Sequence, residues 1–228
     1  ASRFSEYWMP VTVHIGSVFT ASSVVAETSK FFNWMVTKPD VVHQILDKVS
    51  DMFINAVDYF ADKYGPKSLL PFDGGPSESN NMIPAKMFEE FAYPYMKKIH
   101  DHVRERGVPA MLMHPCADQN ANIPYYVKMR EENDWSGKYV WLFGPETPIK
   151  TQIDAFGDHD VICGNINPPL FQSNTYEEVL ELCRVNIEEG INASNGYILA
   201  AGCEFPPNAA PIKVMAMMDA AEMYGRYS

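Results

Sequence analysis

The densest chemical signal in the chain is a histidine and a cysteine two residues apart, in His114-Pro115-Cys116. On a loop after a strand, an imidazole and a thiolate at this spacing can converge on one ion. Zn²⁺ prefers such nitrogen and sulfur donors in a tetrahedron, with bonds of about 2.0–2.3 Å. Two ligands do not make a site, and Gly202-Cys203-Glu204 offers a third after another expected strand. Three protein ligands leave one position open, the arrangement of a catalytic rather than a structural zinc. A lone H-x-C pair is common by chance, and a buried cysteine is more often inert packing. The metal therefore depends on all three residues reaching one face of the fold.

Other side chains carry weaker signals. Asp73, in Phe72-Asp73-Gly74-Gly75-Pro76, closes an expected strand in a glycine-rich turn. It has two readings, a turn aspartate bonding its own backbone and a catalytic acid in contact with substrate. Glu78 on the same loop is a candidate substrate-binding carboxylate. Asn165 and Asn167 flank a strand end, where ligand binding and loop capping are equal alternatives. His14 is a candidate for lining the same pocket, with a satisfied core histidine as the alternative. Cys183, beside Leu182 and Val185, reads as helix core, and Met111, Met113 and the run Met215–Met218 also read as core. Cys163 lies inside an expected strand, where packing is the ordinary role and substitute ligation the alternative. His43, His100 and His102 fall on helical stretches and are expected to face solvent.

These residues must be positioned by alternating elements. Short apolar runs at Val11–His14, Ser68–Phe72, Pro109–Met113, Tyr139–Phe143, Val161–Gly164 and Tyr197–Ala200 read as buried parallel strands. Helical periodicity covers Pro39–Lys63, Pro84–Arg106, Tyr176–Glu189 and Pro211–Tyr224. Thr175 and Glu178 form a capping box, and Gly65, Gly107 and Gly190 stand where helices stop. Repetition of strand and helix implies a parallel sheet with helices outside it. His14, Asp73, His114, Asn165 and Cys203 all fall at or just past strand C-termini. In a β/α barrel those ends open on one face, where the active site is built. An open doubly wound sheet would gather them mainly around one switch point, so the barrel is preferred. No linker interrupts the pattern, and residues 1–228 read as a single domain.

The same stretches resemble the uroporphyrinogen decarboxylase superfamily, and within it the zinc-containing, corrinoid-linked methyltransferase branch of the methylcobamide:coenzyme M type. The resemblance is carried by Met82-Ile83-Pro84 with Phe88-Glu89-Glu90-Phe91 and Pro94-Tyr95, by His114-x-Cys116 and by Phe156-Gly157-Asp158. It continues through Gly164-Asn165-Ile166-Asn167-Pro168, Gly196-Tyr197-Ile198-Leu199-Ala200, Gly202-Cys203, Pro206-Pro207 and the tail Tyr224-Gly225-Arg226-Tyr227. It implies a (β/α)8 TIM barrel, α/β in class, with about six of the eight strand–helix units in this chain, corresponding to the C-terminal two thirds. The opening Ala1-Ser2-Arg3-Phe4, which does not look like a domain start, agrees with that expectation.

The resemblance implies zinc on His114, Cys116 and Cys203, with a substrate thiol in the fourth position. It implies methyl transfer to or from a corrinoid (methylcobalamin) held by a partner protein. Coenzyme M, tetrahydrofolate or a methoxylated or methylated compound would be the small donor or acceptor. A missing N-terminal barrel segment or a second copy of the chain would be a further partner. Two departures stand out. Ala117-Asp118 follows Cys116 where the family commonly has glycine, and Glu204 follows Cys203 where it has a small residue. Glu204 is thereby a candidate ligand, proton acceptor or helix N-terminal residue. The competing expectations are a metal-free decarboxylase of an acidic tetrapyrrole and a non-catalytic remnant that docks a corrinoid protein.

Composition narrows the field. Asp and Glu number 29 against 18 Lys and Arg, a formal charge of −11. Nucleic-acid partners need a basic stripe, and none is present. No apolar run approaches the roughly 20 residues that span a bilayer. Four irregularly spaced cysteines are not a disulfide framework, so a cytoplasmic location is expected.

Overall fold

A computed structural model describes residues 10–132 and 135–226. Ala1-Ser2-Arg3-Phe4 and Tyr227 of the tail motif lie outside the described residues. Six strands, β1 (Val11–His14), β2 (Leu69–Gly75), β3 (Ala110–Pro115), β4 (Lys138–Leu142), β5 (Val161–Cys163) and β6 (Tyr197–Ile198), follow chain order in the sheet. The registers of β1 with β2, β4 with β5, and β5 with β6 are parallel. This is the α/β arrangement expected from the alternating runs. The chain divides into two compact units, Ala1–Met113 with Ala121–Lys138, and His114–Asn120 with Tyr139–Ser228.

In the first unit, helices α1 (Val18–Val25), α2 (Thr28–Thr37) and α3 (Pro39–Tyr64) separate β1 from β2. Helices α4 (Ala85–Phe91) and α5 (Tyr93–Glu105) separate β2 from β3, and α6 (Ile123–Glu132) comes before β4. Along β2 burial alternates, with Leu69, Pro71, Asp73 and Gly75 the more enclosed set, as the two-residue repeat of a strand requires. The single helix expected over Pro84–Arg106 is two helices. Pro94 has no amide hydrogen to continue the ladder, so α5 starts afresh with Pro94 in its first turn. Leu46, Val57, Ile99, Val103 and Met111 are fully enclosed.

In the second unit, α7 (Ile149–Phe156) precedes β5, α8 (Pro169–Ser173) and α9 (Tyr176–Gly190) precede β6, and α10 (Ile212–Tyr224) follows it. The Thr175–Glu178 capping box forms with both reciprocal bonds. Trp141 of β4 stacks on Phe156 of α7, ring centroids 4.2 Å apart. Buried Asp160 accepts from the Tyr139 backbone N–H at 3.1 Å and from Trp141 Nε1 at 3.0 Å. Cys183 is core, as expected, with Ile166, Phe171 and Val179. The methionine run of α10 divides: Met217 packs against this core, Met215 and Met218 are exposed, and Ala216 and Ala220 form the buried stripe. Small residues let α10 lie close on α9, which leaves Met215 and Met218 outside. Among the described residues no helix is long and apolar enough to cross a membrane.

Candidate metal centre

His114, Cys116 and Cys203 all belong to the second unit. The end of β3 places the His114 side chain, 9% exposed, against β4. The Leu142 carbonyl accepts from His114 Nδ1 at 2.7 Å. A carbonyl can only accept, so the ring proton sits on Nδ1 and the Nε2 lone pair is left for a ligand. Burial pushes the His114 pKa down, partly opposed by the Leu142 carbonyl and the charge of Glu204. The ring is therefore neutral at pH 7, the form that binds metal.

Nε2 of His114 lies 2.9 Å from Cys116 Sγ, which lies 3.4 Å from Cys203 Sγ. All three donor atoms fall within 4.8 Å of one another. A tetrahedral zinc with bonds of about 2.0–2.3 Å holds its ligands about 3.5–3.8 Å apart. The edges from Cys116 to His114 and to Cys203 reach that spacing by opening about 0.6 and about 0.4 Å. Neither thiol is in a disulfide, and Cys203 is exposed. One side of the trio therefore faces outward.

The loop carrying Cys116 is held by groups that no motif points to. Buried Gln119 donates from Nε2 to the Cys116 carbonyl at 3.0 Å. Asn120 donates to the Asp118 carboxylate and to the Glu146 carbonyl at 2.8 and 3.1 Å. Ala117 stands at φ 61°, a left-handed conformation that favours glycine. Gly144 lies close by, and a Cβ there would meet the Ala117 backbone at 3.2 Å. Gly202 similarly lets the chain ahead of Cys203 approach the Asn165 backbone, where a Cβ would meet its carbonyl oxygen at 3.1 Å.

The remaining candidates separate. Glu204 is exposed, and its charge raises the His114 pKa. Asn165 is buried and donates from Nδ2 to the Gly144 and Thr147 carbonyls at 3.0 and 2.6 Å. Its side chain caps a loop instead of facing a ligand. Asn167 is exposed. Cys163 is buried, with its thiol pushed up to about 12 by burial, and it stands outside the trio of converging donors.

In the first unit His14 is exposed rather than a core histidine, and its ring lies 4.9 Å from that of Phe72. Asp73 neither caps its own turn nor stands open as a catalytic acid. Its carboxylate lies 2.8 Å from His100 Nε2, both side chains almost fully enclosed. The expectation that the helical histidines face solvent is corrected throughout. His100 is buried on Asp73, His102 meets Asp58 at 2.8 Å, and His43 meets Tyr95 Oη at 2.8 Å. All three stand on helix faces that pack against another element. Glu78 is 2% exposed, and its Oε2 accepts from Thr20 Oγ1 at 2.8 Å. Burial pushes its pKa up to about 7, and the Asp73 charge adds to this, against the hydroxyls of Ser17 and Thr20. As placed, Glu78 anchors its loop to the start of α1.

A model of the uroporphyrinogen decarboxylase (URO-D) family matches residues 5–224. A methylated-thiol–coenzyme M methyltransferase of Methanosarcina mazei is 26% identical over 182 residues, 80% of this chain and 46% of that protein. A methylcobamide:CoM methyltransferase of Methanosarcina acetivorans is 24% identical over 195 residues, 85% of this chain and 52% of that protein. A chloroplastic uroporphyrinogen decarboxylase of Zea mays is 34% identical over 97 residues, 40% of this chain and 23% of that protein. A solved methyltransferase from Methanosarcina mazei superposes with a TM-score of 0.75 at 17% identity, over 96% of this chain and 60% of that one. At that identity the likeness is one of fold. The chain spans about half the length of the two methyltransferases it matches in sequence.

Proposed function

The chain belongs to the uroporphyrinogen decarboxylase family, and from that premise we propose that it is part of a zinc-dependent methyltransferase working with a corrinoid protein. In this reading it is the C-terminal part of one β/α barrel. The observation that carries the proposal is the convergence of one imidazole nitrogen and two thiols within 4.8 Å. A decarboxylase without metal has no use for that donor set.

His114, Cys116 and Cys203 would hold the ion, which supplies a Lewis acid that lowers the pKa of a thiol in its fourth position. The corrinoid of a partner protein would bring the methyl group, since the hard chemistry of such transfers belongs to the cofactor. The chain's own residues do the positioning. Leu142 fixes the His114 tautomer, so Nε2 is presented without a proton to displace. Gln119 fixes the Cys116 backbone. Glu204, exposed beside Cys203, is assigned the proton released by the incoming thiol. Asn167, exposed in the same unit as the three donors, is the substrate contact in this reading. The thiol acceptor is coenzyme M or a related small thiol, by likeness to the two methyltransferases.

Elemental analysis of the purified protein should find about one zinc per chain. Cys116→Ser and Cys203→Ser should each lose the metal and the transfer of methyl from methylcobalamin to a thiol. Full metal and activity in either variant would overturn the proposal. The stretch shared with the plant decarboxylase favours a second reading, decarboxylation of an acidic tetrapyrrole. Carbon dioxide release that survives exhaustive chelation would select it.

A further inference from the structure

The two thiols of the metal centre are close enough to react with each other. Cys116 and Cys203 stand 87 residues apart in the chain, yet their Sγ atoms lie 3.4 Å from one another. A disulfide holds its sulfurs about 2.05 Å apart. An approach of about 1.4 Å therefore turns this contact into a covalent bond.

The two halves of the pair are held differently. Cys116 is half-buried, with Gln119 on its carbonyl at 3.0 Å and His114 Nε2 at 2.9 Å from its thiol. Cys203 is exposed. The chain ahead of it is tied to the sheet where the Gly202 N–H donates to the Ile166 carbonyl at 2.8 Å. From Cys203 to Asn208 no backbone N–H donates to another backbone group among the described residues. Rotation of the Cys203 side chain, or a small shift of this stretch, brings its sulfur to a fixed Cys116.

The other two cysteines are set apart from this chemistry. Cys163 and Cys183 are buried, and burial pushes their thiols up to about 12 and about 11. Oxidation of a thiol follows its exposure and its thiolate character. Cys203 is thus the position an oxidant in solution reaches first, with Cys116 beside it to resolve the product.

We propose that Cys116 and Cys203 are a reversible redox pair, closed by a peroxide into a disulfide that takes both sulfurs from the metal centre. Hydrogen peroxide transfers one oxygen to the Cys203 thiol, which gives a sulfenic acid and one water. The Cys116 sulfur then attacks the Cys203 sulfur. The S–S bond forms as the S–O bond breaks, and the hydroxyl leaves with the Cys116 proton as a second water. Two thiols are oxidised and one peroxide is reduced. His114 alone does not retain zinc, which needs the deprotonated sulfurs. A dithiol reopens the bond by exchange. Loss of metal rests on the proposed zinc centre, whereas closure of the disulfide does not.

The test treats the purified protein with hydrogen peroxide, both as isolated and after chelation under reducing conditions. Thiols, zinc and disulfide-linked peptides are then measured. In both forms the 4 thiols of the chain should fall by half, with the peptides of Cys116 and Cys203 joined and the chain lighter by two hydrogens. Zinc should leave the isolated protein in step with the thiols, and dithiothreitol should restore thiols and zinc binding together. In Cys116→Ser, which cannot resolve the intermediate, dimedone should trap the sulfenic acid on Cys203. Thiols that survive peroxide, a bond that includes Cys163 or Cys183, a bond between two chains, or zinc retained beside the disulfide each overturns the pair. Disulfide closure in protein that binds no zinc at any stage supports the pair and refutes the methyltransferase reading.

Discussion

Glu78 should make the protein less stable as pH rises toward neutrality, and Glu78→Gln should remove that loss. The carboxyl is 2% exposed and is pushed from 4.5 to about 7 by burial. Between those values the folded protein keeps the proton while the unfolded chain has released it. The unfolded state then binds fewer protons, so unfolding becomes easier as pH increases. Each pH unit of separation is worth about 1.36 kcal/mol. The interval from 4.5 to about 7 therefore removes about 3 kcal/mol, complete above pH 7 and absent well below 4.5. Glutamine keeps an acceptor for Thr20 Oγ1 at the same place but cannot ionise. Urea unfolding of both proteins from pH 4.5 to 8 gives the difference in stability at each pH, and groups common to both cancel. The variant should gain about 3 kcal/mol on the parent across that range. A difference that stays flat would show that Glu78 is ionised in the fold and refute its enclosure against α1.

Four further outcomes follow from the same geometry. Ala117→Gly should raise stability by about 0.5–1 kcal/mol in thermal unfolding, because the residue stands at φ 61°. Gln119→Ala should weaken zinc binding by about tenfold in a competitive chelator titration while every ligand remains, since the Cys116 carbonyl loses its donor. Gly202→Val should also lower metal affinity, by pushing the chain ahead of Cys203 away from the Asn165 backbone, and spectroscopy of a cobalt-substituted protein would report the altered site. Asp160→Asn should cost about 1–3 kcal/mol in urea unfolding, because an amide cannot accept from both Tyr139 N–H and Trp141 Nε1 on two oxygens.

Much of the fold was legible because its signals are local. The apolar runs located all six strands to within a few residues, and Thr175 with Glu178 marked the start of α9. Helices α1, α2, α6, α7 and α8 were not anticipated. α8 and α7 span only five and eight residues, too short for a helical repeat to stand out. The break between α4 and α5 was written in Pro94 but was overridden by the periodicity on either side of it.

The sequence by itself determined the alternation of strand and helix, and the identity of three candidate metal donors placed after strands. Both rest on interactions between near neighbours or on the chemistry of single side chains. Only the tertiary structure decided what those side chains meet. Cys203 comes within 3.4 Å of Cys116 across 87 residues of chain, and His114 takes its tautomer from a carbonyl on another strand. Asp73 and Glu78 read alike as acids on one glycine-rich loop. Packing gave one to His100 and enclosed the other against α1. A titratable group's role depends on the solvent it loses and the partners it gains, and both are fixed when distant elements pack.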